Sequence, residues 1–156
     1  MKIGWGVVVS SVLALALAAC GSPPGPPERV SYQNTIRGLV EKRCAKCHGP
    51  KSPTMAEFDK DKEGFKAKDL GPRYDTYENL LVVVNGDDTG ALMRRLDDGA
   101  NTKDGKPGNM NEHLGETPAE RAANLAIFKR WVGGWTLKRK AEITEAERKA
   151  ILAPRD

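Results

Sequence analysis

Cys44-Ala45-Lys46-Cys47-His48 decides how the rest of the chain is read. Two thiols separated by two residues, followed at once by an imidazole, suit one chemistry closely. A single short turn brings both sulfurs to neighbouring corners of a macrocycle, where they add to its vinyl groups, and the adjacent imidazole falls beneath the central iron. The spacing therefore predicts one covalently attached haem, with Cys44 and Cys47 as its thioethers and His48 as an axial ligand. A redox Cys-x-x-Cys would sit in a β-α-β context, which the flanking sequence lacks. A structural zinc site would need two more ligands, and only His113 remains once His48 is committed.

The third cysteine, Cys20, closes a different pattern. Lys2 is followed by an apolar stretch over residues 3–16 and then by Leu17-Ala18-Ala19-Cys20. That ending resembles the lipobox of bacterial lipoproteins, in which the signal is cut before the Cys and the Cys receives lipid. An uncut membrane anchor is the alternative, but the apolar run is borderline for a span and small residues stand where cleavage would occur. With Cys20 lipidated and the other two on haem, no cysteine is left for a disulfide. Export also agrees with the haem motif, because covalent haem attachment in bacteria takes place outside the inner membrane. The expected location is periplasm-facing, and Gly21 in place of Asp after the lipidated Cys favours the outer membrane over the inner. Loss of residues 1–19 removes one Lys and no acid, taking the net charge from +4 to +3. No basic block is long enough to suggest nucleic acid as a partner.

The length allows one compact domain. Residues 1–19 are expected to be signal and residues 20–30 a tether, stiffened by Ser22-Pro23-Pro24-Gly25-Pro26-Pro27. Residues 31–136 form the domain, and residues 137–156 a charged tail with a short helix. Tyr32, Ile36, Leu39 and Val40 fall on one helical face that runs into the haem motif, and Gly38 within it is expected to permit a close helix crossing. Residues 49–73 read as a solvated, irregular insertion. Within it, Asp59-x-Asp61-x-Glu63-Gly64 faintly resembles a calcium loop, but Leu70 stands where a bidentate Glu is needed. Asp75 to Glu78 suggests a capping box opening a helix through Leu80-Leu81-Val82-Val83-Val84, closed at Asn85-Gly86. A turn at Asp88-Thr89-Gly90 leads to a helix over residues 91–96. Residues 97–116 form a turn-rich loop, long enough to imply a function. Thr117-Pro118-Ala119-Glu120 opens another helix with an apolar face of Leu125, Phe128 and Val132, ended by Gly133-Gly134. Thr144 and Glu147 cap a last short helix. No convincing strand remains, so the fold class expected is all-α.

The second axial position of the iron decides what such a protein does. Met55, Met93, Met110 and His113 are the candidates. Met110 is favoured because a long loop can carry its sulfur over the opposite face. Met93, in a helix beside Leu92, reads as an ordinary core or surface methionine, Met55 lies only seven residues from His48, and His113 shares the loop of Met110.

Residues 31–135 resemble a monohaem class I c-type cytochrome, here in lipoprotein form. The likeness rests on the helix leading into Cys44–His48, on Gly71-Pro72, on the helix-loop stretch from Leu92 to Met110, and on the aromatic helix around Trp131. It implies a small helical domain around one haem c, His48 and Met110 as axial ligands, and a Pro72 carbonyl that orients the His48 ring. It also implies electron transfer, with membrane-associated or periplasmic redox proteins as partners and no catalytic residues. Asn111 stands where the family often has Pro after the ligand Met. Gly71-Pro72 lies farther from the motif than usual, which leaves Pro50 and Pro53 as other sources of that carbonyl. A haem enzyme or haem sensor, with an open or His-ligated distal site, is the alternative function.

Overall fold

A computed structural model describes residues 29–156 together with Met1. The signal, Cys20 and most of the Pro-rich tether lie outside the described residues. Among those described, no helix is long and apolar enough to cross a membrane.

Ser31 starts the domain: its hydroxyl accepts from the Asn34 backbone N–H while the Asn34 side chain accepts from the Ser31 N–H, a reciprocal cap. A π turn, Tyr32–Ile36, feeds α1 (Arg37–Arg43), and after one break the chain continues as α2 (Ala45–His48). Tyr32, Ile36 and Val40 are buried on the face their spacing indicated. Gly38 is a correction. It is exposed, and no protein atom would touch a side chain there, so it permits no helix crossing.

The stretch read as irregular contains α3 (Met55–Lys60) and α4 (Lys62–Lys66). Thr54 and Glu57 form a capping box for the first, and the Asp61 carboxylate caps the second by accepting from the Gly64 N–H. Asp59 pairs with Lys62 and Glu63 with Lys66, so this acidic run is taken up by helix ends and neighbouring lysines. The valine run is helical, α5 (Tyr77–Val84), and its cap falls one residue later than the sequence suggested. Thr76 accepts from the Asn79 N–H, while Asp75 instead receives the Asn79 side chain and Arg73. Gly90, at φ +80°, allows the turn into α6 (Ala91–Leu96).

The core is built where α7 (Pro118–Val132) packs on the π turn, with α5 and α6 alongside. Trp131 and Ile36 are fully buried, and Leu125, Phe128, Leu80, Val83, Met93 and Leu96 close around them. Gly133 ends α7 at φ +72°. After α8 (Glu145–Ala150) the chain returns to this core rather than trailing away from it. Ile151 and Ala153 are buried, Leu152 N–H donates to the Val132 carbonyl at 2.9 Å, and Ala153 N–H to that of Trp131 at 3.0 Å. The Pro154 carbonyl then accepts from both Tyr32 N–H and Trp131 Nε1–H, each at 2.9 Å. Residues 137–156 thus belong to the same packed unit as residues 31–136. Apart from one isolated bridge between Gly133 and Ile151, the described residues contain no strand pairing, and the fold is all-α.

Candidate haem site

Cys44 is the hinge of the motif. Its N–H closes α1 on the Val40 carbonyl at 2.9 Å, and its own carbonyl accepts from Cys47 and His48 N–H, at 3.2 and 2.9 Å. Cys44, Cys47 and His48 therefore share one helical turn, as the spacing required. Both thiols are free and half-buried, not joined to each other. Burial pushes the Cys44 thiol up to about 11, with Cys47 adding to the shift.

A second segment runs beside this turn and completes its hydrogen bonding. Gly71 N–H donates to the Cys47 carbonyl and Tyr74 N–H to the His48 carbonyl, both at 2.8 Å. Between them the Pro72 carbonyl accepts from His48 Nδ1–H at 2.6 Å. Pro53 is engaged elsewhere, its carbonyl accepting from Arg73 N–H at 2.8 Å. The greater sequence distance of Gly71-Pro72 is absorbed by α3 and α4, which bulge out and return. A carbonyl can only accept, so the Nδ1 proton is fixed and Nε2 is left with its lone pair. Burial holds His48 below the ordinary imidazole pKa, more strongly than the Pro72 carbonyl raises it, which favours the neutral, ligating form. Gly71 lies so close to the ring that a Cβ there would collide with it.

Tyr74 was not singled out by the sequence. Its buried ring stacks on the His48 imidazole with centroids 4.7 Å apart and planes 18° apart, and burial raises its phenol to about 12. A lone aromatic after Gly-Pro carries no periodic signal, and only the return of this segment to the motif brings the two rings together.

The candidates for the opposite side separate by environment. Met93 is fully buried in the core, and Met55 is half-buried against it. Met110 is half-buried at the head of a 3-10 turn, Asn111–Leu114, with its N–H donating to the Arg95 carbonyl at 2.9 Å. His113, in the same turn, is 59% exposed and faces Glu112 at 3.7 Å. Arg43, just before the motif, pairs with Glu116 and Glu120 and ties α1 to the start of α7, yet its Nε is buried without a partner.

The donor set fits a covalently attached haem. It offers two unpaired thiols and one neutral, oriented imidazole on a single turn, and among the described residues no group of three or more His, Cys, Asp or Glu is placed to hold a separate metal ion. The family model described as PccH cytochrome c matches residues 31–151. The solved structure of the monohaem cytochrome PccH from Geobacter sulfurreducens is similar, with 48% identity and a TM-score of 0.77, covering 81% of this chain and 99% of that one. No curated protein matches the chain. The chain belongs to the PccH family of monohaem cytochromes c, proteins of electron transfer, and carries one covalently bound haem c.

Proposed function

We propose that the protein is a membrane-tethered, periplasm-facing electron carrier whose haem iron is held by His48 and Met110. When bound, haem c supplies a one-electron ferric/ferrous couple. Cys44 and Cys47 attach it through thioethers. His48 binds iron through Nε2, and the Pro72 hydrogen bond fixes that tautomer and raises the basicity of the ring. Met110 would supply the second iron ligand, and a thioether in that role would raise the potential relative to two histidines. Cys20 bears the lipid, and the Pro-rich tether keeps the domain close to membrane-associated or periplasmic redox partners.

The observation that carries the ligand assignment is the pairing of a fixed His48 ring with a half-buried Met110 whose backbone is hydrogen-bonded to the end of α6. His113, exposed beside Glu112, has neither property. The ferric spectrum of the purified protein tests it. A methionine–iron charge-transfer band is expected, abolished by Met110→Ala and unchanged by His113→Ala. Its absence, with rapid cyanide or carbon monoxide binding, would move the reading toward a haem enzyme or sensor. Radiolabelled palmitate incorporation that is lost in Cys20→Ala tests the anchor.

A further inference from the structure

We propose that Asp97 is the positioning residue that keeps Met110 within reach of the haem iron, an inference that rests on Met110 being the ligand. The side chain of Asp97 is wholly buried, accepts three N–H bonds and, among the described residues, enters no ion pair. Burying a carboxylate without a cation is costly, and it is tolerated only where donors satisfy its oxygens. The donors show what it holds. Oδ1 accepts from Gly99 N–H at 2.9 Å and Asn101 N–H at 3.4 Å, and Oδ2 from Asn101 Nδ2 at 2.9 Å. These fix the limb of the loop that leaves α6.

The returning limb is fixed by the backbone at the same place. Gly108 N–H donates to the Asp97 carbonyl at 2.8 Å, Met110 N–H to that of Arg95 at 2.9 Å, and Asn111 Nδ2 to that of Leu96 at 2.8 Å. The last carbonyls of α6, which a helix end leaves without partners, are thus used to hold the segment that carries Met110. Gly108 is required for this approach, since a Cβ would strike the Arg94 and Arg95 carbonyls. Asp97 joins both limbs, its carboxylate on the outgoing one and its carbonyl on the returning one. Between them, residues 103–107 are exposed, and Thr102 Oγ1 adds a second tie between the limbs by donating to the Gly99 and Lys106 carbonyls, each at 3.0 Å. Asn111 makes one of the three return contacts.

Haem-loaded Asp97→Ala, Asp97→Asn and Asn101→Ala test the role through the methionine–iron band and the rate of cyanide binding to the ferric form, with Met93→Ala, a core position one turn earlier in α6, as a control for loss of stability without loss of the loop's hydrogen bonds. Asp97→Ala should weaken the band and speed cyanide binding by about tenfold or more. Asp97→Asn retains an acceptor for both backbone N–H groups and should stay within about twofold of wild type, and Asn101→Ala should fall between. If Asp97→Ala does not fold, the ordering of the other two against Met93→Ala decides. A wild-type cyanide rate and band in Asp97→Ala, or in Asn101→Ala where Asp97→Ala fails to fold, would overturn the proposal. So would Asp97→Asn losing the band as fully as Asp97→Ala. A wild-type protein without the band, unaffected by Met110→Ala, would instead sink the ligand assignment, and this role with it.

Discussion

His48 and Pro72, 24 residues apart, are joined by a 2.6 Å hydrogen bond whose acceptor is main chain, so the geometry depends on the backbone path and not on the pyrrolidine ring. The N–H groups of Gly71 and Tyr74, on either side, set that path by bonding to the motif's own carbonyls. The residue that cannot change is therefore Gly71, which leaves room for the imidazole.

Pro72→Ala keeps the carbonyl and should cost no more than about 1 kcal/mol, with a nearly unchanged haem spectrum. Gly71→Ala places a methyl group against the ring and should cost about 1–3 kcal/mol as overpacking. It should also shift the midpoint potential, because the imidazole must turn away from its acceptor. Denaturant titration and redox potentiometry on the two variants check this; equal effects would contradict it.

The two buried or half-buried methionines near α6 should part company under substitution. Met93→Ala empties a fully enclosed core position and should cost about 2–5 kcal/mol while leaving the ferric spectrum intact. Met110→Ala should do the reverse, with a modest stability change and loss of the charge-transfer band. Chemical denaturation followed by helical signal, alongside the visible spectrum, separates them.

Much of this was legible because local rules and tertiary structure agree. The haem turn, α1, α6 and α7 follow from short-range spacing and capping: Thr117 accepts from Glu120 N–H at the start of α7, and the Tyr32–Ile36–Val40 face is buried. What was missed depends on distant chain. Tyr74 stacks on His48 only because residues 49–73 bulge out and come back. Gly38 read as a contact because a glycine inside a helix has a cost that packing would offset, but here nothing packs on it. Asp97 carries no distinguishing signal in the sequence, because its burial depends on a fold-back that no periodicity encodes.

The α5 cap gives a sharper case. Asp75 and Glu78 have the residue types of a capping box, yet Thr76 occupies the extended cap position and accepts from Asn79 N–H. Thr76→Ala should cost about 1 kcal/mol. Glu78 is exposed and, among the described residues, pairs only with exposed Arg155, so Glu78→Ala should stay within about 0.5 kcal/mol. Urea midpoints of the two variants test the order, which the sequence alone would have reversed.

The last six residues should behave as structure. Deleting residues 151–156 removes buried Ile151 and Ala153 and strips the acceptors from Trp131 Nε1, Tyr32 N–H and the Tyr77 hydroxyl. Each newly unpaired buried donor costs about 1–3 kcal/mol, and the lost Ile burial about 2 kcal/mol more. A loss of about 3 kcal/mol or more is expected by denaturant titration of the truncated protein, whereas a dispensable tail would leave the midpoint unmoved.

Acid sensitivity should have an identifiable contributor at α8. Glu147 accepts from Lys138 Nζ and from the Thr144 hydroxyl and N–H, and these partners, Lys138 foremost, lower its carboxyl to about 2. Glu57, through Thr54, and Glu120, through the Glu116 N–H, shift the same way. A carboxyl whose folded pKa lies below its unfolded value binds protons more readily when unfolded. Its stabilisation is complete above the ordinary value of 4.5 and is lost as pH falls toward 2. Glu147→Gln should therefore lower Tm at neutral pH and flatten its fall across that acid window, though not abolish it, because Glu57 and Glu120 remain. Since the pair is partly exposed to solvent, added salt should shrink the difference between variant and wild type. Thermal unfolding of both proteins between pH 2 and pH 7, at low and high salt, tests this, and parallel curves over the whole range would show that Glu147 contributes nothing.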